Sequence, residues 1–465
     1  MTPPQREDPE RTVAALLAPD ILVMLDEDPG SVALETEELH PADLADVAEA
    51  LPEERVAEFL SALPPARAAD VLEHLDEDLR ATVLETMSTR QAAVLVAAMT
   101  PDDRADALEE LAEENEERAE EILAEIPREA REETERLLAY DAGTAGALMT
   151  TEFVAVPEAL TAEEALRRVR AMAKAERREA MYTVYTTDDQ GRLRGVLSLR
   201  ELLAAPEGAR LADIAWTEVV TVPATAEQEE VAQLTSNYGF VALPVLDDDR
   251  RLLGVVTVDD VIDVIQEEQT EDVQKLGGME ALDEPYMNVG LGAIIRKRVG
   301  WLCVLFAGSL LTATVIEGYE GELSRAEILQ LFVPMIVSSG GNSGSQATSL
   351  IIRAMALKEI TLRDWWRVAG REIVSGLALG SVLGALGFAR VFAWQWMHEA
   401  GLHVGATRLG YDYGPHHLLV AATIGLTLIG VVTFGSLAGS MLPFVLRRAG
   451  FDPASASAPF VATLV

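Results

Sequence analysis

Four long stretches of this chain contain no charged residue, and this feature constrains the fold more than any other. They cover residues 299–316, 328–352, 373–389 and 418–446. A helix needs about 20 apolar residues to cross a bilayer, with about 17 to 25 tolerated. A soluble core rarely supplies four such runs in succession. The sequence therefore predicts four membrane-spanning helices in the C-terminal part of the chain.

A fifth apolar run, residues 453–465, is too short to span a bilayer. The basic residues of alternate loops set the orientation, because Lys and Arg accumulate on the cytoplasmic side. We expect a multi-pass protein of the cell (inner) membrane whose N-terminal domains are cytoplasmic. The basic residues used are Arg296, Lys297, Arg298, Arg353, Lys358, Arg363, Arg367, Arg371, Arg447 and Arg448.

The net charge of −40 is concentrated before the membrane segment. After Pro285 the chain has thirteen Lys and Arg residues and ten acidic residues. The part up to Pro285 has 24 Lys and Arg residues and 67 acidic residues. A region this acidic repels the phosphate groups of nucleic acid, and we therefore do not expect nucleic acid as a partner. Many of these acids are ordinary solvated residues, but closely spaced carboxylates would need divalent cations to neutralise them. The single cysteine, Cys303, excludes disulfides and thiolate clusters within the 465 residues.

Residues 50–108 repeat every twelve residues, as in ALPEERVAEFL, ALPPARAADVL and AMTPDDRADAL. Each unit has a Pro, Asp or Ser turn before a short helix with Ala and Leu on one face. Such units must stack to bury that face. We therefore predict an all-α superhelical repeat with an acidic outer surface.

A strand–helix pattern then occurs twice. FVAVPEALTAEEAL corresponds to VVTVPATAEQEEVA, and GRLRGVLSLRELL corresponds to RRLLGVVTVDDVI. This duplication resembles a tandem pair of CBS domains, which regulate channels, transporters and enzymes alike. No catalytic domain is recognisable, so we expect a protein that is not an enzyme.

The order of these parts, with three motifs, resembles the MgtE family of magnesium transporters. The motifs are AGALMT at 145–150, VTVDDVIDVIQEEQTEDVQKLGG at 256–278 and PMIVSSGGNSGSQATSLIIRA at 334–354. The implied fold is a multidomain α+β membrane protein. Its expected parts are a helical repeat (1–140), a tandem CBS pair (141–268), a connecting helix (269–298) and a transmembrane domain (299–465).

The resemblance implies a Mg²⁺-selective channel that cytosolic Mg²⁺ closes. Bound Mg²⁺ would draw the acidic domains together, and the helix around residues 270–288 would hold the pore shut. A merely solvated helix face is the alternative for these acids, and Gly239 stands where the family ordinarily has another acid. The implied regulatory ligands are Asp70, Asp102, Asp106, Glu227, Glu229, Asp260, Asp263, Glu268, Glu271 and Asp272.

Residues 338–346, SSGGNSGSQ, are unusual in a membrane helix. Small residues there permit either close helix packing or a break that exposes carbonyl groups. Hydroxyl, amide and carbonyl oxygens would suit Mg²⁺, which keeps several of its waters. The resemblance implies a pore at a homodimer interface, with Gly340, Gly341, Asn342 and Ala462 as its residues. It also implies an acid one position beyond Val465, and on that basis we expect the 465 residues as written not to conduct.

Three further possibilities follow from single features. The resemblance places Arg200 and Glu201 where some relatives contact ATP, although Thr183 occupies a position that is aromatic in them. His398, His403, His416 and His417, near an outer loop, could capture a metal or simply supply interfacial polarity. A carrier of Co²⁺, Zn²⁺ or Ni²⁺ is the alternative function, but the predicted spans lack clusters of Cys, His or Met.

Overall fold

The computed structural model describes residues 9–175, 180–282, 286, 289–324, 327–401, 403–404, 407–408 and 410–465. The chain divides into two compact units, Met1–Ile265 and Gln266–Val465. Each is described by itself below.

The first unit begins with short helices whose starts repeat every twelve residues, which confirms the predicted repeat. Helices α3 to α8 begin at residues 41, 53, 65, 77, 89 and 101. Each start follows a turn, and three of the six have Pro in the first helical turn, where the absent N–H is not needed. The helices are α1 (Pro9–Glu27), α2 (Pro29–Glu35), α3 (Pro41–Glu49), α4 (Glu53–Ala62), α5 (Pro65–Glu73), α6 (Glu77–Thr86), α7 (Thr89–Val96), α8 (Pro101–Glu125) and α9 (Arg128–Leu137).

The stacked helices share one apolar core, in which Leu44, Phe59 and Leu84 are fully buried. Arginines satisfy carbonyl groups at helix ends, which have no partner within their own helix. Arg67 donates to the carbonyl oxygen of Leu39 at 2.7 Å, and Arg118 donates to that of Leu84 at 3.2 Å. These contacts join neighbouring turns of the superhelix.

The second half of this unit contains two three-stranded sheets of the same topology, which confirms the strand–helix duplication. In each sheet the middle strand pairs in parallel with the first strand and antiparallel with the third. The elements are β1 (Phe153–Pro157), α10 (Ala162–Ala175), β2 (Ala180–Thr187), β3 (Leu193–Ser198), α11 (Leu199–Ala204), α12 (Leu211–Ile214), β4 (Val222–Pro223), α13 (Gln228–Tyr238), β5 (Ala242–Leu246), β6 (Leu252–Thr257) and α14 (Val258–Leu276).

The connecting segment differs from the single helix predicted over 269–298. Helix α14 ends at Leu276, and residues 277–282 are not helical. Gly277 and Gly278 follow the helix, and Gly278 has φ +77°, which is typical of a residue that ends a helix. Residues 283–285 and 287–288 lie outside the described residues, and the next helix begins at Leu291.

The second unit is built mainly from long apolar helices. Its elements are α15 (Leu291–Gly318), α16 (Glu320–Leu323), α17 (Glu327–Gln330), α18 (Val333–Ala356), α19 (Trp365–Glu399), β7 (His403–Val404), β8 (Thr407–Arg408), α20 (His417–Arg448) and α21 (Ala458–Leu464). Short 3₁₀ turns, Leu362–Asp364 and Pro453–Ser455, precede α19 and α21.

Three segments of this unit are long and apolar enough to cross a membrane: Leu291–Gly318, Leu362–Glu399 and His417–Arg448. They correspond to the first, third and fourth predicted spans. The second corresponds to α18, which has 24 residues and a length of about 36 Å at 1.5 Å per residue. Its run of Ser, Gly, Asn and Gln makes it less apolar than the other three, although it is long enough to span.

Glycines allow α19 and α20 to pack closely. A Cβ atom at Gly380 would lie 2.8 Å from the Cα atom of Ile429, and one at Gly384 would lie 2.6 Å from the carbonyl oxygen of Gly425. Small residues let backbones approach in this way when no hydrophobic driving force acts between helices in lipid.

Candidate metal site and candidate pore

Carboxylates from the helical repeat and from the second sheet module lie close together in the unit Met1–Ile265. Asp102 and Asp103 occupy the first turn of α8, and Asp106 follows one turn later. Asp260 occupies the first turn of α14, directly after strand β6. Acids at helix N-termini interact favourably with the helix dipole, which explains their place locally. We call these four residues the Asp102–Asp260 cluster.

Burial and mutual repulsion perturb this cluster strongly. Desolvation, and then the charges of Asp102 and Asp103, raise the pKa of Asp106, but its side chain is still exposed to solvent, which screens the shift. Burial likewise raises the pKa of Asp260, and the next largest contribution is the charge of Asp102. The hydroxyl of Thr257 donates to Asp260 at 2.6 Å and opposes the shift only in part. Like charges held in a low dielectric favour protons or a bound cation.

One oxygen of the cluster has no hydrogen-bond partner. Asp102 is only 5% exposed, and its Oδ1 atom is buried without a partner among the described residues. A buried carboxylate oxygen in that state is costly unless something neutralises it. Hard divalent cations such as Mg²⁺ and Ca²⁺ take oxygen ligands of this kind. The donor set therefore fits a Mg²⁺ ion, with Asp102 as its first candidate ligand.

The acids of the cluster do not by themselves form a complete coordination shell for a metal ion. Within the part of the chain that the structure describes, no three carboxylate, imidazole or thiol groups are arranged to hold a metal ion. Mg²⁺ commonly binds through one or two carboxylates and retains waters for its remaining ligands. Two acids and several waters would therefore satisfy it.

Two other predicted ligands lie at the edge of this cluster. The charge of Asp70, on α5, raises the pKa of its neighbour Glu73. Asp263 follows Asp260 by one turn of α14, and burial and then the charge of Asp259 raise its pKa, while His74 lowers it. The structure thus brings both residues towards the Asp102–Asp260 cluster.

Glu227 and Glu229 lie on a different helix from the acids of the cluster. Both are exposed at the start of α13, where Glu227 is the N-cap residue and forms an isolated bridge with Thr144. Gly239 ends the same helix with φ +66°, in the left-handed region that favours glycine. The acid that the resemblance implies at this position is absent from this chain.

The remaining predicted ligands belong to a separate group of charges in the unit Gln266–Val465. Burial raises the pKa of Asp272, and the charges of Asp452 and then Glu268 raise it further. Lys275 forms ion pairs with Glu271, one turn before it, and with Asp452 at 2.8 Å. This lysine already supplies one positive charge to the group.

The sequence-based prediction missed four acids that the structure places beside the predicted ones. They are Glu73, Asp103, Glu110 and Asp452. Burial raises the pKa of Glu73 to about 8, and its carboxylate accepts the backbone N–H of Thr100. Helical spacing was an available signal for Glu73, which lies three residues after Asp70 and so shares its helix face. For Asp452, 177 residues from Lys275, no local pattern was available.

The candidate nucleotide residues lie at the start of α11. Arg200 is exposed. Both carboxylate oxygens of Glu201 already accept hydrogen bonds. Its Oε2 caps the helix by accepting from Ser198, and its Oε1 accepts the indole N–H of Trp216 at 3.1 Å. Thr183 pairs across the sheet with Ser198. Glu201 therefore caps α11 and holds Trp216 in this conformation.

The polar run of α18 lies within one continuous helix from Val333 to Ala356, so the glycines do not break it. Gly340, Gly341 and Gly344 are buried instead. A Cβ atom at Gly341 would lie 3.2 Å from Ala462 on α21, and one at Gly344 would lie 3.0 Å from the carbonyl oxygen of Gly435. Of the two possibilities for these small residues, close packing is the one observed.

Hydroxyl groups reinforce that packing. Ser343 and Ser436 share a buried hydrogen bond of 2.7 Å, and Thr348 donates to the carbonyl oxygen of Gly439 at 2.9 Å. Ser345 donates to the carbonyl oxygen of Ala458 at 3.0 Å. Helix α18 is therefore fixed against both α20 and α21.

The opposite face of α18 is polar and exposed. Ser338, Asn342 and Gln346 recur every four residues and are all exposed. Residues at this spacing share one face of a helix. In a helix of membrane length such a face must contact water or another protein surface, because lipid cannot satisfy its polar groups.

The outer-loop histidines do not converge on a described metal site. His398 lies 3.9 Å from Asp412, and His417 makes a 3.2 Å contact with the carbonyl oxygen of Gly414. His416 is the N-cap residue of α20. The side chain of His403 lies outside the described residues.

Comparisons with known proteins agree with this architecture. The MgtE divalent cation transporter profile matches residues 333–465, the MgtE intracellular N domain matches 39–143, and the CBS domain matches 145–208 and 211–267. The magnesium transporter MgtE of Thermus thermophilus is 42% identical over 334 residues, covering 72% of this chain and 69% of that protein. That of Enterococcus faecalis is 36% identical, covering 71% and 68%.

Solved structures support the same conclusion for the soluble part. A crystal structure of the cytosolic domain of the Mg²⁺ channel MgtE in complex with ATP is 40% identical, with a TM-score of 0.51; it covers 53% of this chain and 100% of that one. The soluble part of a magnesium transporter is 32% identical, with a TM-score of 0.50, covering 56% and 99%. The profile matches, the identity to full transporters and the shared order of domains together establish that this chain belongs to the MgtE family of divalent cation transporters.

Proposed function

We propose that the protein conducts Mg²⁺ across the cell membrane as a homodimeric channel, and that cytosolic Mg²⁺ bound at the Asp102–Asp260 cluster closes it. The observation that carries this proposal is the approach of two buried acids from different domains, one of them with an unpartnered oxygen. The family membership and the names of the relatives support Mg²⁺ as the transported ion.

Closure follows from differential binding of the ion. Without Mg²⁺, the carboxylates of Asp102, Asp103 and Asp260 repel one another or retain protons, and the helical repeat and the CBS pair separate readily. Bound Mg²⁺ replaces repulsion by attraction and favours the joined arrangement. A ligand shifts a conformational equilibrium only by its difference in affinity for the two states, and this site exists in one of them.

Helix α14 can transmit that change. It begins at Val258, carries Asp260 on its first turn and continues without interruption to Leu276. The helix has 19 residues and is about 28 Å long at 1.5 Å per residue. It is therefore the covalent path by which a change at Asp260 would reach the segment that leads to the membrane helices.

The conducting path is the exposed polar face of α18. Mg²⁺ dehydrates reluctantly, so a pore for it should offer hydrogen-bond acceptors to the ion's waters. Ser338, Asn342 and Gln346 offer hydroxyl and amide oxygens on one face, and a second copy of the chain would enclose that face. Gly340, Gly341 and Ala462 then shape the path by setting how closely α18 and α21 pack.

Ion flux into liposomes tests the proposal directly. A full-length version with an acid directly after Val465 should take up Mg²⁺ when the compartment facing the acidic domains lacks it, and uptake should fall as Mg²⁺ is added there. Flux of Co²⁺, Ni²⁺ and Zn²⁺ should be compared under the same gradients. Preference for one of these ions would replace Mg²⁺ as the substrate, and flux insensitive to Mg²⁺ on that side would refute the gating mechanism.

A further inference from the structure

An exposed basic and aromatic face lies at the junction of α18 and α19. Arg363, Arg367 and Arg371 recur every four residues, so they follow one side of the 3₁₀ turn and the helix that continues it. All three are exposed. Trp366, which lies on the same side, is 71% exposed. We call these four residues the Arg363–Arg371 face.

The face is rigidly held. Ile360, just before it, packs against Met355, Val368 and Phe444 in a small apolar cluster. Asp364 accepts hydrogen bonds from the backbone and hydroxyl of Thr361, which fixes the 3₁₀ turn. The exposed Trp366 ring stacks on Trp365 with a centroid separation of 3.9 Å. The arginines are therefore presented by an ordered support.

The positive charge of the face is poorly compensated within the chain. Arg367 pairs with Asp364 at 3.1 Å, but among the described residues Arg363 and Arg371 form no ion pair. Lys358 and Arg353, which precede the face, are exposed and likewise unpaired in the described part.

We propose that the Arg363–Arg371 face binds the phosphate headgroups of anionic phospholipids in the cytoplasmic leaflet. The face lies at the end of a segment of membrane-spanning length, Leu362–Glu399, where headgroups are found. Guanidinium groups bind phosphate bidentately, and Trp favours the interface between headgroups and acyl chains. Glu372 lies beside Arg371, and Asp364 pairs with Arg367, so two acids offset the charge of the face only in part. A neutral lipid would add no negative charge to it.

Lipid retention by the purified full chain tests this proposal. The protein in neutral detergent would be titrated with phosphatidylglycerol, phosphatidylcholine or inorganic phosphate, and bound molecules would be counted by native mass spectrometry. We expect phosphatidylglycerol to be retained at least about ten-fold more strongly than phosphatidylcholine, since each basic residue near an anionic membrane surface contributes about a five-fold preference. The triple variant R363Q/R367Q/R371Q should lose that preference.

Two further variants make the result specific. R90Q/R168Q/R170Q removes three exposed arginines from the unit Met1–Ile265 and should retain the preference. R363K/R367K/R371K keeps the charge and should retain most of it, which separates loss of binding from misfolding. Equal retention of the two lipids by the wild type, or equal loss in both Gln variants, would overturn the proposal. Displacement of the lipid by millimolar phosphate would also overturn it, because the face would then bind free anions.

Discussion

The negative charge of Asp102, on the first turn of α8, is the largest electrostatic contribution to the raised pKa of Asp260, on the first turn of α14. The two residues are 158 positions apart and belong to the helical repeat and to the CBS pair. Their carboxylates approach in a buried place where neither has a compensating cation among the described residues. Protons or a bound metal ion would relieve this repulsion, so under the proposed function we expect both to favour the joined arrangement.

Replacing Asp102 and Asp260 together by Asn should reduce the effect of Mg²⁺ on the protein. The double variant keeps the side-chain volumes but removes both charges, so Mg²⁺ loses its main attraction to the cluster. We expect its apparent affinity to fall at least about ten-fold, because ligand charge count tunes the affinity of such sites. Protease protection of the α14 region, measured across a Mg²⁺ titration, would report the change.

The control for this experiment is E129Q/E135Q, which removes two exposed acids from α9. It changes the net charge equally and should leave the Mg²⁺ titration unchanged. If D102N/D260N and wild type show the same titration, the acids of the cluster are only buried structural residues.

Acidification should stabilise the metal-free protein. Glu73 has an ordinary pKa of 4.5, and burial raises it to about 8 in the folded state; the pKa of Asp106, whose side chain is exposed, shifts in the same direction. Between about pH 4.5 and 8 the folded state therefore holds more protons than the unfolded state, so stability falls as pH rises through that window. Glu73 contributes at most about 1.4 kcal/mol per pH unit, and solvent screening makes the contribution of Asp106 smaller.

Thermal unfolding measured at several pH values, with and without Mg²⁺, would check this dependence. Mg²⁺ should flatten it, because the ion stabilises the ionised carboxylates. D106N should lower the slope of the metal-free curve. A melting temperature that rises from pH 6 to 8 without Mg²⁺ would contradict the direction predicted here.

Local patterns predicted much of the soluble fold because they act through neighbouring residues. The twelve-residue spacing fixes where each helix starts, as Pro41, Pro65 and Pro101 show at the first position of their helices. The duplicated strands were predicted for the same reason: alternating β-branched residues and a Gly turn are local signals. Asp260 was singled out because acids are crowded between residues 260 and 272, whereas Asp102 was singled out by resemblance alone.

What the sequence did not predict depends on tertiary contacts. Glu73, on α5, lies near the cluster only because α5 packs beside the start of α8, where its carboxylate accepts the backbone N–H of Thr100. The polar run of α18 was compatible with either a broken helix or close helix packing. Close packing occurs because small residues of the neighbouring helices, Ala462 on α21 and Gly435 on α20, lie against the glycines of α18. The connecting helix was predicted over too long a range, because the position of a helix end depends on single residues such as Gly278.

Asn342→Ala should lower Mg²⁺ flux while leaving the fold intact. Asn342 is exposed on the polar face of α18 and makes no contact that packing requires, so its loss removes one amide from the proposed path. We expect flux in liposomes to fall several-fold, with an unchanged melting temperature. Ser381→Ala on α19, whose exposed hydroxyl donates to the carbonyl oxygen of Leu377 in its own helix, is the matched control. Equal flux through both variants would remove Asn342 from the pore.

Labelling of single cysteines should establish the orientation. Cys303 is exposed, so Cys303→Ala would serve as the background. In intact cells, a membrane-impermeant maleimide should react with Glu320→Cys, in the acidic loop, but not with Glu359→Cys, among the basic residues. Reaction at position 359 from outside would reverse the topology. It would also contradict the cytoplasmic assignment of the acidic domains.

Two glycines of α20 should respond in opposite directions to the same substitution. At Gly439 a Cβ atom would overlap the carbonyl oxygen of Gly344 on α18, which is backbone and cannot move aside alone. At Gly430, on the same helix, a Cβ atom would meet nothing within 4 Å. Gly439→Ala should therefore force α18 and α20 apart and destabilise the protein by roughly 1–3 kcal/mol, the usual cost of overpacking. It should also displace Thr348, whose hydroxyl donates to the carbonyl oxygen of Gly439. Gly430→Ala should be neutral or stabilising by up to roughly 1 kcal/mol, because Ala favours a helix more than Gly does.

Thermal unfolding in detergent would rank the variants, and Mg²⁺ flux would show whether the α18–α20 contact shapes the conducting path. If both substitutions were tolerated equally, the close packing of these two helices would not be a feature of the folded protein.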